Sequence, residues 1–159
     1  MGMQYDVKSQ YATASGVMVP FRSRLKAFYL GASTTSAATV YFADNLTTSA
    51  TYARSTTTAT ITCKNHGVMV GDWVYINFDS LADGLYQVVT AANSDTFTVT
   101  VADTGATSGS ASIYLDILAV AKVTTTNDVF NLIPGEGILA QNGIRVFLEN
   151  SVPATIYYG

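Results

Sequence analysis

The segment HGVMVGDWVYINF, from His66 to Phe78, holds the only histidine and the only tryptophan of this 159-residue chain. Its dipeptides His66-Gly67 and Gly71-Asp72 are typical of tight turns. The run that follows, Trp73 to Phe78, is rich in the β-branched and aromatic residues of a β-strand. We therefore predict two turns and a strand, with Trp73 as packing bulk and not as part of a catalytic site.

Strand-like runs and turn signals also alternate on either side of that segment. Asp83-Gly84 precedes the run Leu85 to Thr90, and the turn Asn93 to Asp95 precedes Phe97 to Val101. Four short strands within about 45 residues are typical of a small barrel resembling the SH3 type. The predicted core positions of this barrel are Ile61, Cys63, Val70, Val74, Ile76, Tyr86, Val88, Phe97 and Val99.

Two stretches rich in Ser, Thr, Gly and Ala flank this block, from Thr47 to Thr60 and from Ala102 to Ser112. Such a composition is typical of exposed connections. Neither flank of the chain is long enough to bury a sandwich core alone. We therefore predict an all-β chain in which residues 1–52 and 112–159 form an outer antiparallel, jelly-roll-like β-sandwich, and residues 56–103 form an inserted SH3-like β-barrel.

Three further predictions concern the parts of the chain outside the barrel. Asn142-Gly143 predicts a β-hairpin over Leu139 to Phe147, because both residues tolerate the positive φ of a type I′ turn. The irregular segment Gln4 to Arg24 shows no clear early strand and is predicted to be an extended arm that becomes ordered on a neighbouring subunit. Glu136, between two glycines, is predicted to accept turn amides or to pair with a surface group.

The low charge of the chain limits the partners that it fits. Only 12% of the residues are charged and the net charge is −3, whereas a soluble domain usually has about 25%. No broad basic face for nucleic acid is evident, and no apolar run approaches the roughly 18 residues of a membrane span. We expect neither partner, and a surface partly covered by neighbouring subunits.

Five residues are candidates for interaction. Arg22, Arg24 and Lys26 alternate along the chain, which predicts that they share one face of a strand. We interpret them as an exposed or inter-subunit salt-bridging face in preference to a phosphate site. Trp73 and Tyr86 have the ring chemistry to stack on sugars, but packing at the core or rim of the barrel is the favoured interpretation.

Catalytic and metal-binding patterns are weak throughout the sequence. There is no G-x-S-x-G elbow, P-loop or dinucleotide motif. Cys63 and His66 are two potential zinc ligands where three or four are needed. Four aspartates of the barrel block lie beside turn residues, so turn formation explains them better than calcium binding. These aspartates are Asp72, Asp79, Asp83 and Asp95. We expect no enzyme activity, no cofactor and no metal.

Two parts of the sequence resemble structural proteins of tailed bacteriophages. The first is T-x-T-I-T-C-x-x-H-G-V-M-V-G-D-W-V-Y-I-N-F, followed by D-G-L-Y-Q-V and D-T-F-T-V, which is similar to a small β module that recurs in those proteins. The second is N-L-I-P-G-E-G-I-L-A-Q-N-G-I-R-V-F-L-E-N with the ending A-T-I-Y-Y-G, which is similar to the ends of small β-rich virion proteins, including those of cyanophages. The two parts cover about half of the chain.

The resemblance implies a virion component that is assembled in the host cytoplasm and whose motifs are turns and strands. We expect a capsid decoration, or cement, protein that binds the major capsid protein or other virion proteins as a homo-oligomer, with a trimer favoured. The alternatives are a head-tail or tail/fibre accessory protein and a host-surface, carbohydrate-binding module. The last alternative predicts glycan binding that is lost on Trp73→Ala.

Overall fold

The computed structural model of the chain describes residues 7–150 and 152–159. These residues form strands and connections without a helix, which confirms the predicted all-β class. Two compact units divide the chain. Met1–Asn45 with Ile117–Gly159 is called the outer unit below, and Leu46–Asp116 is called the barrel unit. The predicted insert, residues 56–103, lies within the barrel unit.

The described residues contain fifteen strands, and the pairings between them are antiparallel. The strands are β1 (Lys8–Ala12), β2 (Gly16–Val19), β3 (Ser23–Leu30), β4 (Ala38–Asp44), β5 (Thr48–Ser55), β6 (Thr58–Thr62), β7 (Trp73–Phe78), β8 (Gly84–Asn93), β9 (Thr96–Thr100), β10 (Ser108–Tyr114), β11 (Ile117–Val123), β12 (Val129–Leu132), β13 (Ile138–Ala140), β14 (Ile144–Leu148) and β15 (Ala154–Tyr158). Strands β5 to β10 belong to the barrel unit.

The outer unit contains two sheets that share one hydrophobic core. The five-stranded sheet has the order β1-β15-β3-β12, with β13 also paired to β3, and the four-stranded sheet has the order β11-β4-β14-β2. Side chains from both sheets join one buried cluster, in which the rings of Phe28 and Phe42 lie 4.9 Å apart between centroids. The finer expectation of a jelly-roll-like sandwich stays a prediction.

The barrel unit is a closed barrel of six strands, in the order β10-β5-β6-β9-β8-β7. Strands β5 and β10 lie in the stretches that were predicted to be exposed connections, and that prediction was wrong. Ala50 and Tyr52 of β5, like Ala111 of β10, face the core, while Ser and Thr alternate with them outside. The small size of alanine made this alternation weak in the sequence, although it is enough to line a narrow barrel.

The predicted N-terminal arm is also corrected for the residues that the structure describes. Residues 4–6 lie outside those residues, but β1 pairs with β15 and β2 pairs with β14. β1 could not be recognised from local pattern because four of its five residues are exposed, and a strand without a buried face shows no apolar alternation.

The predicted hairpin over Leu139 to Phe147 does not form. β13 pairs with β3 of one sheet, whereas β14 pairs with β2 and β4 of the other. Gly143 has a φ of 100°, but Asn142 does not adopt the positive φ that a type I′ turn also requires. Instead, the Asn142 backbone N–H and side-chain amide donate to the buried Asp44 carboxylate at 3.1 and 2.9 Å, which holds the turn as a crossing between sheets.

Candidate interaction surfaces

The loop from His66 to Asp72, between β6 and β7, is tied to the barrel at both ends. The His66 N–H donates to the Ser94 carbonyl at 3.0 Å, and the Gly71 N–H donates to the Val88 carbonyl at 2.9 Å. The two glycines of the loop have φ values of 66° and 95°, in the region that glycine adopts most easily. The predicted turns are therefore present, and the course of the loop is fixed.

Four large apolar side chains of this loop and the adjoining strands are exposed, and we call them the barrel patch: Met69, Val70, Trp73 and Val89. Met69 is 69% exposed, Val70 66% and Trp73 49%. The Met69 N–H donates to the Asp72 carboxylate at 2.8 Å, so the backbone beneath the exposed side chains is held in place. The exposed side chains of the patch are apolar, and hydrogen bonds hold the backbone that carries them.

Val70 was predicted to lie in the barrel core, and that prediction was wrong because Val70 is exposed. Val68 packs partly against that core, whereas Val70 faces outward. The prediction extended strand alternation into a loop, where the positive φ of Gly71 changes the direction of the chain. Tyr86 is half-buried, and the remaining predicted core positions are buried. These are Ile61, Cys63, Val74, Ile76, Val88, Phe97 and Val99.

Trp73 and Tyr86 lie on opposite faces of the barrel wall. Tyr86 is paired with Val74, which is buried in the core, and residues directly opposite one another share a face of a sheet. The Tyr86 ring packs against Phe78 with 5.6 Å between centroids, and its hydroxyl donates to the Ala82 carbonyl. Trp73 precedes Val74 and faces outward. The two rings do not form one stacking platform for a sugar.

Cys63 and His66 are both buried in the barrel unit. The Nδ1 atom of His66 accepts from the Val68 N–H at 3.1 Å, and its ring packs edge-on against Phe97 with 5.0 Å between centroids. Burial, and to a smaller extent the charge of Asp95, raises the pKa of the Cys63 thiol. Within residues 7–150 and 152–159, no group of three or more His, Cys, Asp or Glu side chains is placed to hold a metal ion.

The aspartates beside the turns of the barrel accept backbone hydrogen bonds. Asp83 accepts from the Phe78 N–H at 2.8 Å, and Asp95 accepts from the Asn65 N–H at 3.2 Å. Asp72 does the same within its own loop. Capping of turn amides is thus the observed role of these carboxylates, as predicted.

Asp79 has a different role, because it joins neighbouring strands of the barrel. It accepts from the Ser110 N–H at 2.8 Å and from the Tyr52 hydroxyl at 3.2 Å. The hydrogen bond from Ser110 lowers the pKa of Asp79 below 3.8, against a smaller opposing effect of burial, and the bond from Tyr52 lowers it further. The carboxylate is therefore held in its charged form as part of the barrel.

Two of the three predicted basic residues, Arg24 and Lys26, lie at alternate positions on β3. Arg24 donates to the Gly137 carbonyl at 3.2 Å, and the Lys26 Nζ atom lies 3.8 Å from the Glu136 carboxylate. Both cations therefore bind the same loop of the outer unit. Glu136 therefore pairs with a cation whose side chain is only 14% exposed.

Arg22 lies outside β3, so the prediction that all three cations lie on one strand holds only for Arg24 and Lys26. It precedes the first residue of β3, in an exposed bend, and donates to the Gln141 side chain at 2.9 Å. The alternation of charge in the sequence continued past the point where the strand begins. Arg22 therefore binds Gln141, whereas Arg24 and Lys26 bind the loop that contains Glu136 and Gly137.

A second apolar surface covers the outer face of the five-stranded sheet. We call it the sheet patch; it consists of Val7, Tyr11, Tyr29, Phe130 and Leu132, of which Phe130 is 62% exposed and Leu132 66%. The strand register places two rows of residues on this face, Tyr11-Thr155-Tyr29-Phe130 and Ser9-Tyr157-Ala27-Leu132. A groove of about 400 Å³ on this face is lined by Val7, Phe130, Leu132 and Tyr157, with Ala27 and Lys26 beside them.

No residue in these two rows is charged. At the rim, the Asp128 carboxylate accepts from the Tyr29 hydroxyl and from the Ala32 N–H at 2.7 Å. These two bonds, the Tyr29 bond first, lower the pKa of Asp128. Lys26 lines one side of the groove, where its Nζ atom lies 3.8 Å from the Glu136 carboxylate. The sheet patch is therefore an uncharged surface with charges that are already partnered at its border.

Sequence reasoning missed the sheet patch. Its local signal was the alternation in the segment V-F-N-L, residues 129–132, which is the same signal as that of a strand with a buried face. Only the pairing of β12 with β3 shows which face these side chains take.

The described residues contain no helix of the length and apolarity that a membrane span requires.

Comparison with known proteins does not assign the chain to a family. A scan against protein-family models, a search of curated proteins and a search of solved structures each returned no match. Function is therefore inferred from the two apolar patches and from the resemblance in the sequence.

Proposed function

We propose that this chain is a non-enzymatic structural protein of a tailed-bacteriophage particle, and that it acts as a capsid decoration, or cement, protein. Its proposed partner is the major capsid protein, which it binds through the barrel patch as a homo-oligomer. Support comes from the resemblance to phage virion proteins, from the low charge of the chain and from the two exposed apolar patches.

The observation that carries the proposal is the fixed loop beneath the barrel patch. A loop that is already held by hydrogen bonds from Met69 and Gly71 loses little conformational freedom when a partner binds. Met69 has a flexible thioether that adapts to an irregular surface, and tryptophan is among the residues that contribute most at protein interfaces. These properties fit a protein-binding surface on a capsid.

The mechanism of cementing is the burial of apolar surface between neighbouring molecules. Each apolar side chain of the barrel patch contributes about 1.5–3 kcal/mol when it is fully buried. An oligomer that places several patches on one particle binds with avidity, because each further contact forms within the same complex. Separating the capsid subunits then requires these contacts to be broken as well.

A glycan of the host surface is the second candidate partner, and the exposure of Trp73 favours it. The ring is half-exposed on the outer wall of the barrel, and an exposed aromatic face stacks on sugars. A glycan array probed with the intact chain and with Trp73→Ala tests this candidate. Binding that depends on Trp73 favours the glycan, whereas no binding favours the capsid.

Binding to capsids tests the proposal directly. The capsids are purified from the phage that encodes this chain after its copy of the gene has been disrupted, and the purified protein is added back and co-sedimented. We expect Met69→Ser with Val70→Ser to weaken binding by about 10-fold or more, because two exposed apolar anchors are removed. Both residues are exposed, so the substitutions leave the core intact.

Val120→Ser is the matched control, because Val120 is an exposed valine of β11 that belongs to neither patch. It is expected to bind capsids as the unchanged protein does. Equal binding by the double variant of the barrel patch, or no binding to capsids by any form, contradicts the proposal.

A further inference from the structure

The sheet patch has the size of the core of an interface. Its five large side chains expose roughly 500 Å² together, given that a fully buried aromatic side chain accounts for about 150–250 Å². The largest apolar patch on a typical monomer is about 300–600 Å². A stable contact of standard size buries about 800 Å² on each partner, so this patch supplies more than half of that area and polar residues around it supply the remainder.

The edge of this sheet at β12 also lacks the usual protection. Edge strands are commonly guarded by a lysine, as β1 is by Lys8 and β11 by Lys122. β12 has no charged residue, and it exposes Phe130 and Leu132. Within the described part of the chain, no strand pairs with its outer side. An unguarded apolar edge is stable in solution when another chain covers it.

We propose that the sheet patch binds the sheet patch of a second copy of this chain, face to face about a two-fold axis. In such a contact the face packs against an identical face of the other copy. A net charge on the face would then meet a like charge, so the contact is favourable only where the face carries no net charge. The two rows across this face are uncharged, and the border charges are partnered within the chain. A second copy therefore meets no like charge.

The shape of the face also fits a second sheet. Thr155 lies between Tyr11 and Tyr29, and Ser9 and Ala27 lie on either side of Tyr157. These small residues leave space for rings of the other copy. The groove beside Ala27 receives an aromatic ring of the second copy at the spacing of about 10 Å that packed sheets adopt. Polar groups at the rim remain in water.

This inference rests on one part of the proposed function, namely that copies of the chain associate with one another. It adds the surface through which they associate. A two-fold contact gives a dimer and not the trimer that the resemblance implied. Because the barrel patch takes no part, loss of the dimer leaves binding of a single chain to a capsid unaffected. The two proposals therefore fail in different experiments.

The mass of the full chain in solution, measured by sedimentation over a range of concentrations, tests the inference. We expect a dimer of the 16.9 kDa chain. Phe130→Lys and Tyr11→Lys each place a charge on the face, on different strands, and both are expected to weaken dimerisation by about 30-fold or more. Val120→Lys, at a valine of similar exposure outside the face, is the matched control and leaves the mass unchanged.

Each other outcome overturns the inference. A chain that stays monomeric up to about 100 μM, or one that forms a trimer, contradicts the two-fold contact. Dissociation by Phe130→Lys but not by Tyr11→Lys contradicts the face and indicates edge pairing through β12. Circular dichroism of each variant separates loss of the contact from loss of the fold.

Discussion

Gly143 is the residue at which the chain crosses from one sheet of the outer unit to the other. Its φ is 100°, and a β-carbon at this position would collide with the Val19 carbonyl oxygen. Its own carbonyl accepts from the Asn45 N–H at 3.0 Å. The position therefore combines a left-handed backbone, close approach of a neighbouring strand and a hydrogen bond, which only glycine allows.

Backbone strain of an alanine in this conformation costs about 1–3 kcal/mol. Gly143→Ala is expected to destabilise the outer unit by more than that, because the collision with Val19 adds to the strain. Gly135→Ala is the matched control: Gly135 also has a positive φ, of 68°, but a β-carbon there meets nothing within 4 Å. Denaturant unfolding of both variants measures the difference. Equal losses of unfolding free energy would show that the close approach has no energetic role.

Asp79 makes the stability of the barrel depend on pH in the acid range. Its pKa in the folded chain is lower than 3.8, so its stabilising effect is complete above that value and is lost as the pH falls through the folded pKa. We expect the unfolding free energy to fall with acidification below about pH 4, and to fall less steeply in Asp79→Asn, which has no carboxylate to protonate. Identical acid slopes for the two proteins would contradict this role.

At the scale of the element, strands with a bulky apolar side were predictable and strands with small inward residues were not. β7 turns Val74, Ile76 and Phe78 to the core, and β9 turns Phe97 and Val99 to it. The sequence predicted β7 at its observed bounds and β9 as Phe97 to Val101. β5 and β10 turn alanines to the core, and β1 buries almost nothing. In these strands the pairing with neighbours, and not the local pattern, determines the structure.

The crossing at Asn142-Gly143 shows a second limit. The dipeptide correctly marked a turn, but the partners of the flanking strands are chosen by contacts distant in the chain, such as the hydrogen bonds from Asn142 to Asp44. The interaction surfaces were less predictable still. Trp73 was singled out in the sequence, whereas the exposure of Val70 and Phe130 follows only from the assembled fold.

Ser112→Pro tests whether β10 is a strand of the barrel or a connection. β10 lies between β5 and β7, so proline at this exposed position removes a ladder hydrogen bond and is expected to cost at least about 2 kcal/mol. Ser112→Val keeps the N–H and is expected to be neutral or stabilising. A flexible connection would tolerate both, and unchanged thermal unfolding of Ser112→Pro would exclude the six-stranded barrel.

At the scale of the whole molecule, residues 7–150 and 152–159 form two separate hydrophobic cores. The barrel closes upon itself, so all six of its strands find their neighbours within Leu46–Asp116. A closed barrel leaves no strand edge that needs another part of the chain. This arrangement allows the outer unit and the barrel unit to carry different contacts.

Residues 46–116 expressed alone are therefore expected to fold. The Cys63 thiol, which is buried in the barrel core, reports the result: in the folded barrel it reacts slowly with a thiol reagent, and it reacts at the rate of a free thiol in denaturant. Near-ultraviolet circular dichroism of Trp73 gives an independent measure. Fast reaction of Cys63 in buffer would show that the barrel needs the outer unit.

The proposed function brings these two units together as a protein that binds its own copies through one unit and a capsid through the other. The sheet patch is uncharged and the barrel patch is rigidly supported. Both properties suit a permanent contact in an assembly.

The central claim, that this chain cements a capsid, is tested most directly by a cryo-electron microscopy map of the intact particle of the phage that encodes it. We predict density for the chain on the outer surface of the head, with Met69 and Val70 against the major capsid protein. Density confined to the tail or to the head-tail junction would contradict the claim, as would a particle without this chain.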